Sequence, residues 1–216
     1  MSYLLFFAAI SVFSGCKNSS SPSSGSINDI FPLAAGNTWV LQEQEWDGNG
    51  TLRLDTTTSI LLKSKTVFQG QDGYILSIGG DTTGKTVVYA QGNSDLYTAD
   101  IGSTTPYIQH ILHYPMNDGD SYVLRDTTYS DLTISRDVLV LRSSNEPVTV
   151  PAGTFSTVHF DEIFIGGTAS KPDTGSINMI YFAKGVGYIQ EKDMRKSATN
   201  VWYQRQLYRL KSYKIN

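Results

Sequence analysis

Three histidines could ligate a metal ion: His110, His113 and His159. Zinc needs three or four converging imidazole, thiolate or carboxylate ligands. His110 and His113 lie three residues apart in Tyr107–Tyr114, which has the composition of a strand. Strand alternation therefore predicts that they point to opposite faces of a sheet. No further donor is spaced to complete a site around any histidine, so we expect neither a metal centre nor another cofactor.

One carboxylate could do acid–base chemistry. Asp161 and Glu162 are adjacent in a predicted strand, so they point to opposite faces. Glu162 shares its face with Val158, Phe160 and Phe164, which makes it the one carboxylate that could be partly buried. A buried carboxyl group has a raised pKa and can act as a general acid. The favoured interpretation is that the end of the strand carries Glu162 into solvent.

Other catalytic and binding motifs are missing from the sequence. It contains no Gly-x-Ser-x-Gly nucleophile elbow. The pairs Gly79-Gly80 and Gly166-Gly167 lack the strand–loop–helix context of a phosphate-binding loop. Asp47–Thr51 and Asn117–Asp120 are rich in oxygen ligands, but neither completes an EF-hand, since Leu52 stands where the first would need glycine. Both segments predict hairpin turns, and we expect a protein that is not an enzyme.

Composition limits the class of protein further. The chain has 216 residues, 40% of them hydrophobic, and a net charge of −3. This is the composition of a globular protein, and the length suffices for one sizeable core. Without an excess of Lys and Arg, we expect no nucleic-acid partner. The single cysteine excludes a disulfide framework within the chain.

From residue 28 onward, hydrophobicity alternates with the period of strands. Thr51–Phe68 is the clearest case, and its length predicts a bend or bulge. Turn-forming residues separate ten further β-rich runs: Trp39–Trp46, Tyr74–Ile78, Thr86–Ala90, Tyr107–Tyr114, Ser121–Arg125, Leu132–Leu141, Thr157–Ile165, Ile177–Phe182, Gly187–Glu191 and Val201–Lys214. The pattern predicts an all-β domain with a single antiparallel sheet, as a curved meander, half-barrel or sandwich.

The N-terminus has the pattern of an export signal. Tyr3–Phe13 is an apolar run shorter than the roughly 20 residues of a membrane-spanning helix, and it has the length of a secretory signal. It leads into Phe13-Ser14-Gly15-Cys16, which resembles the lipobox of bacterial lipoproteins, although Phe13 stands where leucine is usual. The resemblance implies that residues 1–15 are a signal peptide and that Cys16 carries acyl chains, palmitate among them.

A tether follows the predicted lipid anchor. Residues 16–27 are rich in serine, a composition typical of flexible linkers, and they would join the anchored Cys16 to a domain over residues 28–216. Lys17 resembles the outer-membrane sorting signal of enteric bacteria. The resemblance implies a cell-envelope location, with the outer membrane favoured over the inner and the periplasmic or surface face left open.

Three segments resemble sequences that recur in bacterial lipoproteins and secreted proteins of unknown function: Phe31–Trp39, Val150–Phe155 and Tyr181–Ile189. The resemblance implies an extracytoplasmic β domain and brings no catalytic residues. Physically, the segments look architectural. Phe31 and Trp39 are large enough to close one end of a core. Gly185 and Gly187 suit a tight turn or the close approach of another backbone segment.

Three functions stay open. The favoured one is a non-catalytic binding or structural module, held at the membrane through lipid on Cys16, with a protein, glycan or lipid as its ligand. Thirteen tyrosines, nine phenylalanines and three tryptophans could form such a contact surface. The second is a lipid or lipoprotein carrier, with an apolar cleft in a curved sheet that includes Leu52, Leu54 and Ile60. The third is a surface glycan or peptide hydrolase, which would lose turnover on Glu162→Gln.

Overall fold

The computed structural model describes residues 25–81, 83–197 and 199–216. The predicted signal peptide, Cys16 and most of the tether lie outside these ranges. The described residues form one short helix and twelve strands: α1 (Ile27–Ile30), β1 (Thr38–Trp46), β2 (Leu52–Phe68), β3 (Gln71–Ile78), β4 (Thr86–Gln91), β5 (Asp95–Asp100), β6 (Tyr107–His113), β7 (Ser121–Thr128), β8 (Ile134–Val150), β9 (Gly153–Thr168), β10 (Lys171–Ala183), β11 (Gly187–Lys196) and β12 (Trp202–Lys214). In these ranges, no helix has the length and apolar character needed to cross a membrane.

All twelve strands belong to one antiparallel sheet, in the order β6-β5-β4-β3-β2-β1-β12-β11-β10-β9-β8-β7. The chain starts in the middle of the sheet, runs outward to the β6 edge, crosses to the β7 edge and returns beside β1. The two edges approach each other, since the rings of His113 on β6 and Tyr122 on β7 stack with centroids 4.0 Å apart. The sheet is therefore a nearly closed barrel, and the prediction of a single antiparallel sheet is confirmed.

The strand predictions hold best where alternation is strong. The predicted strand Thr51–Phe68 is β2, and the expected irregularity is a register shift between Leu62 and Lys65. Strand β8 continues past the predicted end at Leu141, because its polar segment keeps pairing with β9 through two register shifts. The sequence analysis missed β5, a run of six residues with an aspartate at each end.

One end of the barrel is closed by the apolar core. Phe31 stacks on the fully buried Trp39, with ring centroids 5.3 Å apart. The Trp39 indole Nε1 donates a hydrogen bond of 2.7 Å to the carbonyl oxygen of Val186. Gly187 has a φ of +96°, and a Cβ atom there would lie 2.8 Å from the Trp39 ring. The architectural interpretation of these residues is thus confirmed, and Gly187 permits the close approach.

Helix α1 packs against the core at this end of the barrel. Ile27 and Ile30 are fully buried. The Ile27 N–H donates to the Asn93 carbonyl at 2.7 Å, and the Ser26 N–H donates to the Asp29 carboxylate at 2.8 Å. The folded domain therefore includes Ser26 and Ile27, which the sequence analysis assigned to the tether.

Candidate functional site

The concave face of the sheet lines a groove made of three adjoining cavities. The first, of about 250 Å³, has mostly apolar walls, which we call the floor: Ile60, Leu76, Val88, Ile111, Ile180 and Phe182. The second, of about 340 Å³, shares Tyr188 and Glu191 with the first and is bounded further by Glu43 and Tyr208. The third, of about 250 Å³, shares Glu162 with the first. The shared walls make the three cavities one continuous groove.

Strand register explains how so many polar residues reach this concave face. Two rows of paired residues run across the sheet. One row is Glu43, Tyr208, Glu191 and Ile180. The other is Glu45, Gln206, Asp193, Asn178 and Glu162. Within each strand, members of the two rows are two residues apart, so both rows lie on the same face.

Two tyrosine hydroxyls donate hydrogen bonds to the glutamates of the first row. The Tyr188 hydroxyl donates to Glu191 Oε2 at 2.8 Å, and the Tyr208 hydroxyl donates to Glu43 Oε1 at 3.1 Å. Burial raises the pKa of the Glu191 carboxyl to about 7, although the hydrogen bond from Tyr188 lowers it. Burial also raises the pKa of both tyrosines. The tyrosines are therefore protonated donors at neutral pH, where Glu191 is half-ionised.

Glu162 lies inside the groove, on the same face as its apolar neighbours in sequence. Burial raises the pKa of its carboxyl group, and Asn178 Nδ2 donates to its Oε2 at 3.0 Å. The buried Oδ1 of Asn178 has no hydrogen-bond partner among the described residues. Asp161 points to the outer face, where its Oδ2 accepts from Arg142 Nε at 2.6 Å. The opposite faces are confirmed, whereas the favoured prediction that Glu162 reaches solvent is wrong, because the strand continues past it along the concave face.

The groove carries negative charge that nearby cations leave unpaired. Asp137 and Asp193 form ion pairs with Arg125 at 3.0 Å and Arg195 at 2.8 Å. Within residues 25–81, 83–197 and 199–216, four other acids of the concave face form no salt bridge: Glu43, Glu45, Glu162 and Glu191. Gln206 Nε2 donates hydrogen bonds to Glu43 at 2.9 Å and to Glu45 at 2.8 Å. The amide of Gln206 is neutral, so it does not balance the charge of these two carboxylates. The wall therefore suits a ligand that brings donors or positive charge.

The two neighbouring histidines lie together on one face, so the prediction of opposite faces is wrong. The register between β5 and β6 shifts between the pairs Leu96–Leu112 and Tyr97–His110, which leaves Ile111 as an extra residue. This bulge turns His110 back toward the side of His113. Both rings reach Asp95 Oδ1, at 3.0 Å from His110 Nε2 and 2.7 Å from His113 Nδ1. Alternation could not reveal this cluster, since a bulge breaks the two-residue period.

The third histidine lies elsewhere on the outer face. His159 Nδ1 is 2.7 Å from Glu146 Oε2, and its Nε2 is 3.1 Å from Asp161 Oδ1. Its ring stacks on Tyr181 with centroids 4.2 Å apart. The two carboxylates hold opposite edges of the imidazole, so this arrangement positions the ring between β8 and β9.

Both oxygen-rich segments are turns, but only the first is a predicted hairpin turn, since Asn117–Asp120 lies in the connection between the edge strands β6 and β7. Asp47 Oδ1 accepts from the N–H groups of Asn49 at 2.9 Å and Thr51 at 3.0 Å, which closes the β1–β2 hairpin. Between β6 and β7, Asp120 Oδ2 accepts from the Asn117 N–H at 3.0 Å. Both aspartates thus satisfy backbone donors of their own loops.

The apolar residues chosen for the carrier hypothesis divide between two environments. Ile60 belongs to the floor of the groove. Leu52 and Leu54 are exposed near the β1–β2 turn. Cys16, the predicted lipidation site, lies outside the described residues.

The fold and the groove define a class: nearly closed single-sheet antiparallel β domains with a concave interior. The fold is similar to that of a Bacteroides fragilis protein described as exported with a YmcC-like fold, at a TM-score of 0.51 and 13% identity over 86% of this chain and 99% of that one. A Parabacteroides distasonis protein described as a lipoprotein gives a TM-score of 0.42 and 16% identity, over 85% of this chain and 97% of that one. These likenesses concern the fold alone. No protein-family model and no curated protein matches the chain.

Proposed function

We propose that this chain is a lipid-anchored protein of the bacterial cell envelope whose barrel is a non-catalytic binding module for a small amphiphilic ligand. The observation that carries the proposal is the groove, in which an apolar floor meets glutamates that form no ion pair with any described residue. Apolar pockets with a few converging polar groups are the usual form of small-molecule sites. The ligand's apolar body would lie on the floor, and its polar head would face the glutamates.

The acidic side chains of the floor cavity indicate the chemistry of the ligand's polar head. Glu162 and Glu191 both line the floor cavity, so a head seated there meets two carboxyl groups. An ammonium or another donor-rich head gains charge-assisted hydrogen bonds from ionised carboxylates. An anionic head is disfavoured there, because both glutamates lack a salt-bridge partner among the described residues, and the arginines of the third cavity already pair with Asp137 and Asp193. We therefore assign these two carboxyl groups to ligand recognition and propose no catalytic role for them.

Paired probes with the same tail and opposite charge test this assignment. At pH 8, where Glu191 is mostly ionised, we expect octylammonium to bind at least about 10-fold more tightly than octanoate, the effect of one charged hydrogen bond. Glu191→Gln and Glu162→Gln should each reduce that preference. Glu146→Gln, on the outer face beside His159, is the matched control. Isothermal titration calorimetry measures all the affinities.

Two results would contradict the assignment. One is octanoate binding as tightly as octylammonium. The other is a preference for octylammonium that neither Glu191→Gln nor Glu162→Gln changes, since the ammonium group would then bind at another surface.

The second candidate is the lipid or lipoprotein carrier, which the apolar floor favours. Its cavity of about 250 Å³ lies below the roughly 300–1,000 Å³ of common small-molecule sites. A long acyl chain would therefore need the adjoining cavities as well. A carrier would bind neutral dodecanol more tightly than octylammonium, because tail length rather than head charge would set the affinity.

The lipid anchor rests on the lipobox-like residues before Cys16. Two or three acyl chains hold a protein at a membrane firmly, whereas one holds it marginally. We expect Cys16→Ala to abolish both incorporation of radiolabelled palmitate and conversion of the precursor to the shorter mature form. A second variant, Cys16→Ala with Ser20→Cys, should stay unlabelled, since its cysteine lies outside the motif. Unchanged conversion of the Cys16→Ala precursor would contradict the anchor.

A further inference from the structure

A group of potential metal ligands lies on the outer side of the barrel, away from the groove. We call Asp95, His110 and His113 the seam cluster, because it lies where the edge strands β6 and β7 approach each other. Asp95 comes from β5 and both histidines from β6. The bulge at Ile111 brings the two imidazoles to the same carboxylate oxygen. No groove residue takes part in the cluster.

The geometry of the seam cluster is close to that of a metal site. One ligand atom from each residue lies within 4.8 Å of the other two. In a tetrahedral zinc site, neighbouring ligand atoms are about 3.3 Å apart. The Asp95 Oδ1 atom is 3.0 Å from His110 Nε2 and 2.7 Å from His113 Nδ1. An ion would fit if these two distances widened by about 0.3 and 0.6 Å and if His110 Nε2 left the Leu112 carbonyl oxygen, which lies 3.1 Å away.

The donor set selects the kind of ion. Two imidazole nitrogens and one carboxylate oxygen suit zinc, copper and nickel, whereas magnesium and calcium prefer oxygen ligands throughout. The side chains of the cluster keep 10% to 24% of their surface exposed, so solvent and ions can reach it. A water molecule can then complete the coordination.

Aromatic stacking holds both imidazoles in place. His110 stacks on Tyr97 with ring centroids 4.4 Å apart, and His113 stacks on Tyr122 at 4.0 Å. Tyr122 belongs to β7, so the His113 ring spans the gap between the two edges of the sheet. Rings fixed in this way lose little rotamer freedom when they bind an ion.

We propose that the seam cluster binds one divalent transition-metal ion through Asp95 Oδ1, His110 Nε2 and His113 Nδ1, and that the ion holds β5 and β6 together beside the β7 edge. The proposal is independent of the groove and of its ligand. Binding to the folded chain alone would also raise its thermal stability.

His159 provides a matched control within the same chain. Its side chain is 12% exposed, against 10% for His110, and both rings stack on a tyrosine and contact a carboxylate. At His159, however, the two carboxylates lie on opposite ring nitrogens. They cannot share one ion with the ring. Replacing His159 therefore removes a stacked ring and its carboxylate contacts, as replacing His110 does, but it removes no proposed metal ligand.

The test is a calorimetric titration of ZnCl₂ into the full chain after treatment with chelator. We expect one zinc ion per chain, and His110→Gln and His113→Gln should each weaken the affinity at least about 10-fold. His159→Gln should bind as the wild type does. Cys16→Ser is titrated in parallel, because a free thiol also binds zinc. Failure to saturate at one ion per chain, or an equal loss in His159→Gln, would overturn the proposal.

A measurement on the wild-type chain covers the case in which the histidine variants do not fold. In an NMR titration, zinc should shift the ring signals of two histidines and leave the third unchanged, and Asp95→Asn should weaken the effect. Magnesium should shift none of them. Zinc-induced shifts confined to the third histidine, identified as His159 by the contact of its ring with Tyr181, would overturn the proposal, as would no shifts at all.

Discussion

Trp39→Ala is expected to lower the free energy of unfolding by about 4 kcal/mol, the usual cost of removing a fully buried large aromatic side chain. Trp39 is completely buried, stacks on Phe31 and donates its indole hydrogen to Val186. Trp202→Ala is the matched control, since Trp202 is 38% exposed and contacts mainly Lys196. We expect it to cost less than about 1 kcal/mol. Urea unfolding followed by circular dichroism measures both values.

A glycine pair tests whether the closed end depends on close approach to Trp39. Gly187→Ala and Gly185→Ala both place a side chain at positive φ, so they share a backbone cost of about 1–2 kcal/mol. Only at Gly187 would the new Cβ meet the Trp39 ring, whereas open space surrounds Gly185. Gly187→Ala should therefore be the more destabilising by about 1–3 kcal/mol. Equal losses in the two variants would show that the indole can shift aside freely.

Glu191→Gln is expected to change how stability depends on pH. Burial raises the pKa of Glu191 from 4.5 to about 7, so the folded chain binds this proton more tightly than the unfolded chain. The resulting stability is fully present below about pH 4.5 and is lost as pH rises toward 7, by about 3 kcal/mol. Glutamine keeps the neutral form at every pH. The variant should match the wild type near pH 4 and exceed it by about 3 kcal/mol at pH 8.

Subtracting the two stability curves isolates Glu191 together with the acids whose charge interacts with it, Glu162 and Asp193, because more distant groups titrate alike in both proteins. Tyr188→Phe provides the opposite change: it removes a hydrogen bond that lowers the pKa of Glu191. The loss of stability should then extend to higher pH. Parallel pH profiles for the wild type and Glu191→Gln would mean that Glu191 is solvated in the folded protein.

The concave face shows how far a single sequence can predict such a site. Glu162 could be singled out because its strand neighbours on the same face are apolar. Glu191 could not, since Gln190-Glu191-Lys192-Asp193 has the composition of a solvent-exposed segment. Its place in the groove depends on pairing with Tyr208 on β12 and Ile180 on β10. Such register is set by the whole sheet, and local alternation does not contain it.

Irregular pairing limited the prediction in a similar way. The bulge at Ile111 reverses the face expected for His110, and neither glycine nor proline lies beside it to signal the change. By contrast, the strong alternation of β2 identified a long strand correctly, and the glycines around Val186 identified a tightly packed turn, although the group that approaches Gly187 is the Trp39 ring rather than a backbone. Sequence reasoning therefore predicted the fold class and the closed end, while the wall of the groove and the seam cluster required the sheet.

Native mass spectrometry tests the ligand-binding groove most directly, using a form of the chain that begins at Gly25 and is purified from the producing cell without detergent. We expect an amphiphilic molecule of defined mass with a basic or donor-rich head, bound non-covalently and released on collisional activation. It should be lost in Ile180→Arg, which fills the floor, and reduced in Glu191→Gln. Finding only the ligand-free chain for both the wild type and Ile180→Arg, even with added octylammonium, would contradict a binding function for the groove.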